Sequence, residues 1–253
     1  MQKNVVGDLE NWYNAPMKKC SLLVVLLLAA GTIRPLLARD TVLRVDNAAA
    51  AVAAANKGTE LANKGDLDGA IGYYSAAVKV DPQMYLAVYE RGTIYMRQHK
   101  WDRAIADFNS ALLVSPSFFL AAIKRAEVNG YLGRYDQALA ELNHIIALRP
   151  MNHTNALAHS DRAWIFATSS NPAVRNGRQA VEDANLACRI DSWDTWDYID
   201  TLAAAYAEAG DFENAIKFAE KAIKKARQAD GVEDVRKRLA LYQQHRPFRV
   251  AQH

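Results

Sequence analysis

The ten residues Asp191-Ser192-Trp193-Asp194-Thr195-Trp196-Asp197-Tyr198-Ile199-Asp200 bring together three aromatic and four acidic side chains. Aromatic faces beside carboxylates could hold a sugar polymer or a basic peptide, with Trp193, Asp194, Trp196 and Asp197 as a possible contact surface. The same stretch also suits a helix start, because acids favour the positive N-terminal end of a helix and Trp packs at junctions. Elsewhere, residue types with catalytic potential are scattered. There is no Gly-rich phosphate loop ending in Lys and Ser or Thr, no Gly-x-Ser-x-Gly turn, no paired-cysteine site and no His-Glu-x-x-His helix. His153 and His159 are six apart, a spacing that does not put two side chains on one helix face. The expectation is a chain with no catalytic residues, no metal and no cofactor, hence not an enzyme.

The elements that would position any surface come from a repeat. Pro82, Pro116 and Pro150 are evenly spaced, each 34 after the last. Before Pro82 stand Gly58, Leu61, Ala70, Tyr74 and Ala77, and at the same offsets before Pro116 stand Gly92, Tyr95, Ala104, Phe108 and Ala111. A third unit keeps Ala138, Leu142, Ile145 and Pro150, with Ala126 in the Gly place and Asn129 in the Leu or Tyr place. Two antiparallel helices approach closely only where side chains are small, so the Gly and Ala positions predict contact points. The bulky residues fill the space between neighbouring helices, and each proline ends a second helix. The turns inside the hairpins fall at Lys64-Gly65-Asp66, His99-Lys100-Trp101 and Leu132-Gly133-Arg134, with Gly available for a left-handed helix end.

This pattern resembles the tetratricopeptide repeat (TPR) family, whose unit has a small residue at position eight, an aromatic at eleven, Ala at twenty and Pro at thirty-two. The resemblance implies an all-α fold, a right-handed superhelical solenoid of about five hairpins with a C-terminal capping helix. The repeats are placed at about 51–84, 85–118, 119–152, 156–194 and 196–229, inside a domain of 47–249. The fourth is elongated: Ala138 and Ala180 stand 42 apart, with about five of the eight extra placed in Ser169 to Gly177 and the rest near Met151 to Thr154. Its Ala-Thr ending and the Asp-Thr-Leu-Ala-Ala-Ala-Tyr of the fifth resemble a variant of bacterial TPR proteins. Residues 232–244 carry Val232, Val235, Leu239 and Tyr242 at helical spacing and read as the cap, with Arg236, Lys237, Arg238 and Gln243 on its outer side.

In TPR proteins the first helix of each hairpin lines a concave groove that holds a peptide or protein segment. Carried onto this chain, the second unit contributes Tyr89, Thr93, Met96 and Arg97, and the third Ile123, Glu127, Gly130 and Tyr131, with Lys124 beside them. The first unit gives mainly Ala55, Thr59, Ala62 and Asn63. A known use of such grooves is a clamp for two carboxylates, whose positions here are Ala55, Thr59, Glu90, Leu120 and Lys124. Only Lys124 has the required charge, and Glu90 would repel the ligand, so that partner class is rejected.

Cys20 to Ile33 is a run of 14 uncharged residues behind Lys18 and Lys19 and ahead of Arg34. At about 1.5 Å per residue it spans roughly 21 Å, short of the roughly 30 Å hydrocarbon core. It reads as a signal peptide within residues 1–38, with translation starting at Met17 and cleavage after Gly31 or Ala38, followed by a linker over 39–46. Export to the periplasm or medium is expected, with anchoring in the inner membrane through the uncleaved segment as the alternative. Cys188 then remains alone and reads as a small buried hydrophobe. The formal charge of +3 is too small to recommend nucleic acid. Ten basic residues against four acidic over 217–249 could meet an anionic polymer or membrane, or solvate a capping helix. These features imply a scaffold or adaptor. The alternatives are a wall-binding assembly factor and a regulatory subunit of an enzyme encoded elsewhere.

Overall fold

The computed structural model describes residues 35–148, 153–227 and 231–250, with side chains from residue 47 onward. Among them are eleven helices and no strand. The chain divides into two compact units, Met1–Pro82 and Gln83–His253. The first contains α1 (Pro35–Asn63) and α2 (Leu67–Val80), which pack as a hairpin. Gly58 lies against the Tyr74 ring there, where an added Cβ would approach it to 3.0 Å. Residues 39–46, expected as a linker, are instead part of α1. The sequence has neither Gly nor Pro from Leu36 to Lys57, and Ala48 to Ala55 is all Ala but Val52, so nothing interrupts the helix there. The apolar run Cys20–Ile33, Met17 and the Gly31 cleavage point lie outside the described residues.

The second unit holds α3 (Tyr85–Arg97) with α4 (Trp101–Val114), α5 (Phe119–Tyr131) with α6 (Tyr135–Ala147), α7 (His153–Thr168) with α8 (Gly177–Ile190), α9 (Trp196–Glu208) with α10 (Phe212–Ala226), and the cap α11 (Val232–Tyr242). Hairpins pack on their chain neighbours. Ala104, Ala138, Ala180 and Ala215 are all fully buried, as expected of small residues at close helix contacts. Phe108 and Leu142 fill the spaces between them, also without exposure. The glycine-type turn recurs at Gly133 (φ +71°) and Gly210 (φ +81°), but its counterpart in the α3–α4 turn is His99 (φ +56°), one residue earlier than the sequence comparison set it. His99 keeps that conformation while its ring meets Trp101 edge to face at 5.0 Å. Cys188 is buried, and that burial pushes its thiol up to about 12.

One feature of the repeat is polar. Arg91 in α3 donates from Nε (2.8 Å) and Nη2 (2.7 Å) to Asp107 in α4. Arg125, at the same place in α5, grips Glu141 of α6 and also donates to Asn109 of the preceding hairpin at 2.5 Å. Arg162 in α7 repeats both contacts, to Asp183 of α8 and to Asn143 of the preceding hairpin at 2.6 Å. Each arginine therefore closes its own hairpin, and the last two also tie it to the one before.

Candidate functional site

The groove residues of the second unit lie on the first helices α3, α5, α7 and α9. Met96, Arg97, Glu127 and Tyr131 line a shallow cleft of about 250 Å³ with His99 and Trp101. Arg97 is exposed, and the Tyr131 ring stacks on Trp101 at 5.6 Å. Tyr89 is half-buried between Phe118 (5.0 Å) and Phe108 (6.0 Å). Thr93 turns its hydroxyl to its own helix, donating to the Tyr89 carbonyl at 3.0 Å. Ile123, expected on the groove, has no exposure and belongs to the core beside Leu142 and Ile145. The family's groove positions, carried onto α5, placed it on the wrong side of the helix.

Charge in the groove is mostly negative. Lys124 donates to Glu127 at 2.7 Å, both on α5. Burial works against its ammonium, but the charges of Glu127 and Asp161 prevail and raise its pKa. Asp161, on α7, has an Oδ2 shut off from solvent that accepts no hydrogen bond. Burial, then the charge of Glu127, raises its pKa, and Lys124 offsets part of this. Asp197, on α9, is exposed at the surface, yet protein crowding around its carboxyl, followed by the charge of Asp200, pushes it up to about 6. Tyr131 and Glu90 are also raised by burial, Tyr131 further by Glu127. Sequence comparison with the family's carboxylate clamp kept Lys124 and passed over Asp161, although Asp161 holds in α7 the place that Lys124 holds in α5, one residue before the tie arginine.

The C-terminal residues cover the neighbouring part of this face. Asp161, Trp164 and Thr168 lie on one side of α7, and Asp197, Asp200 and Glu208 on one side of α9. Beyond α11 the chain runs back over the C-terminal ends of these helices. Phe248 meets Trp164 at 5.9 Å, the Val250 amide donates to the Thr168 carbonyl at 2.9 Å, and Arg249 pairs with Glu208 and donates to the Ala167 carbonyl. Arg238 of the cap, expected on its outer side, points inward: it donates to Asp200 at 2.6 Å and lies over Trp164 at 5.3 Å. Arg236 and Lys237 are exposed as expected.

The aromatic and acidic stretch does not form one surface. Trp193 is half-buried, stacked on Phe218 at 5.9 Å, with Lys221 Nζ 4.0 Å from its ring centre. Trp196 packs into the same core, and an added Cβ on Gly231 would meet its ring at 3.3 Å. Asp194 pairs with Lys225 at 3.2 Å, while Asp197 belongs to the groove. Among the described residues no cluster of His, Cys, Asp or Glu could hold a metal, and no helix is long and apolar enough to cross a membrane.

Family models described as tetratricopeptide repeats match residues 55–118 and 198–227. No curated protein matches the chain. Among solved structures, a thermophilic TPR protein of Thermus thermophilus is 20% identical, with a TM-score of 0.62 over 77% of this chain and 100% of that one. A tetratricopeptide repeat protein from Parabacteroides merdae is 19% identical, with a TM-score of 0.54 over 78% of this chain and 74% of its own. The APC/C hetero-tetramer Cut9-Hcn1 is 17% identical, with a TM-score of 0.66 over 77% of this chain and 36% of that one. The even proline spacing, the buried small-residue contacts, the family models and these folds agree: the chain contains tetratricopeptide repeats, and its described residues fold as a helix-hairpin solenoid of the TPR type.

Proposed function

We propose that this chain is a non-catalytic adaptor of the bacterial cell envelope that holds a protein or peptide segment on the groove face of α3, α5, α7 and α9. The TPR fold itself implies a protein interaction scaffold. The observation that carries the groove assignment is its N-terminal half, where Arg97, Glu127 and Tyr131 line an open cleft that no segment of the described chain fills, with the charge of Asp161 near enough to act on Tyr131. An aromatic anchor amid charges suits an extended or helical segment. The envelope assignment rests on the uncharged run Cys20–Ile33 behind Lys18 and Lys19. Trp193 and Trp196 spend their rings on packing, which leaves a wall-polymer surface there little to work with.

Affinity capture from an envelope fraction, run with the parent and with a variant carrying Arg97→Glu and Tyr131→Ala at matched folded fraction, tests the groove. A protein held by the parent and lost by the variant supports the adaptor, and equal capture by both refutes the groove. Finding the chain in the cytosol after fractionation would refute the location.

A further inference from the structure

Four acids stand on the groove face of the second unit: Glu90 on α3, Glu127 on α5, Asp161 on α7 and Asp197 on α9. Lys124 is a half-buried cation among them, and its ammonium is already given to Glu127 at 2.7 Å. Asp197 lies close enough to Asp161 to add to its burden of negative charge, and Oδ2 of Asp161 is sealed from solvent without a donor. A carboxylate with one oxygen sealed and unpaired is costly to ionise, and a cation at the accessible part of half-buried Asp161 would favour its charged form.

The other half of the same face shows what satisfies it. On α7 and α9 the C-terminal ends are covered by an extended segment whose Phe248 lies on Trp164 and whose Arg249 reaches Glu208 and the Ala167 carbonyl. Arg238 supplies the cation for Asp200. One turn toward the helix starts, Asp161 and Asp197 continue the row of acids without an arginine of their own.

From this juxtaposition we propose that the open half of the groove, at Glu127, Asp161 and Asp197, binds an extended peptide segment that is basic and aromatic, its Arg or Lys side chains on the carboxylates and its aromatic ring beside Tyr131. This rests on the adaptor assignment above and names the chemistry of its partner. Binding then draws both aspartates into the ionised state and strengthens as pH rises, since each is held toward the protonated form in the free protein. The groups facing them are Lys124, Glu127 and Tyr131 of α5, Tyr198 and Asp200 of α9, and Arg238 of α11.

The probe is a fluorescent, end-capped nonapeptide alternating Ala, Arg and Phe, with a counterpart carrying Glu for Arg, titrated into the full chain by anisotropy. The Arg peptide should bind at least about tenfold tighter than the Glu peptide. Asp161→Asn with Asp197→Asn should weaken it by about tenfold or more without lowering the Tm, whereas Glu182→Gln on the outer helix α8 should not. Affinity should rise between pH 5 and pH 7.5. Equal binding of the two peptides, or no loss in the double Asn variant, overturns the proposal. If a partner from the capture experiment is lost with Tyr131→Ala but kept with the Asn pair, the groove assignment stands and the basic specificity falls. If that partner is kept by both variants, both fall.

Discussion

Two aspartates of one hairpin, changed to the same isosteric residue, should move stability in opposite directions. Asp183, 2% exposed, accepts from Arg162 at 2.7 and 2.8 Å and faces His159 Nδ1 at 2.8 Å. Burial opposes its charge, but the hydrogen bonds from His159 and Arg162 win and hold its carboxyl below the usual range. Breaking a buried pair costs about 3–5 kcal/mol. Arg162 keeps Asn143 and some solvent, so Asp183→Asn should lie near the low end, about 3 kcal/mol or about 6–12 °C in Tm for a domain of this size. Asp161 has no donor at Oδ2 and a raised pKa, so Asp161→Asn should raise the Tm. The pH dependence separates the two further. The folded pKa of Asp183 is depressed, so its contribution is present above about pH 4 and fades as pH falls through the folded value. The folded pKa of Asp161 is raised, so its penalty is absent below about pH 4 and grows with pH; the gain from Asn should grow likewise. Thermal melts followed by circular dichroism across pH 4–8 read both. A Tm loss under about 2 °C for Asp183→Asn at pH 7, or any loss for Asp161→Asn, would refute the reasoning.

At Gly177, the first residue of α8, an added Cβ would stand 2.7 Å from the Ala209 backbone nitrogen, so Gly177→Ala should cost about 3 kcal/mol, measured by urea denaturation. Gly92→Ala meets the buried Phe108 ring at 2.9 Å, which can give slightly, and should cost less, about 1–2 kcal/mol in the same assay. Trp193→Ala should lower stability by about 2 kcal/mol with binding intact, because the half-buried ring is committed to Phe218. Removal of residues 246–253 should speed hydrogen exchange at Val250's acceptor region, the end of α7, while the amides of α3 and α4 stay unchanged.

The repeat period was legible because close helix contact tolerates few residue types, so Gly92, Ala104 and Ala138 recur where they must. The arginine ties carry the same period and escaped notice because the comparison followed apolar positions: Arg91 and Arg125 are 34 apart, as are Asp107 and Glu141, and Asn109 and Asn143. The tie also locates the elongated turn. The arginine reaches its acid across 16 residues in the second and third hairpins and across 21 in the fourth, which puts five extra residues between Arg162 and Asp183. Asp66, Asn176 and Asp211 cap their helices, accepting from the amides of Gly69, Gln179 and Asn214, and such side chains are readable in sequence. The return of residues 243–250 over α7 and α9 was not, since a single extended segment has no periodicity and its partners lie up to 82 residues away. Of the groove acids, Glu127 was named from its repeat position and Asp197 from the aromatic and acidic stretch, but Asp161 was not, because the three come together only after three hairpins stack.

The distribution of carboxylates separates scaffold from site. Inside the hairpins, Asp107, Glu141 and Asp183 each receive a guanidinium, so burial there leaves no charge unmatched. On the groove face, the cap and the C-terminal segment do the same for Asp200 and Glu208 through Arg238 and Arg249. The row then continues to Asp197 and Asp161, where the supply of arginines ends although the acids do not. An acid held toward its protonated form destabilises the folded state at neutral pH, and Asn in its place would fill the same volume without that cost. A structural role accounts for the paired acids. It gives no reason for a carboxylate at Asp161 rather than an amide, whereas an incoming cation makes the charge useful only when bound, and that difference is why the open half of the groove, and not the arginine ties of the hairpins, is the place to look for the partner.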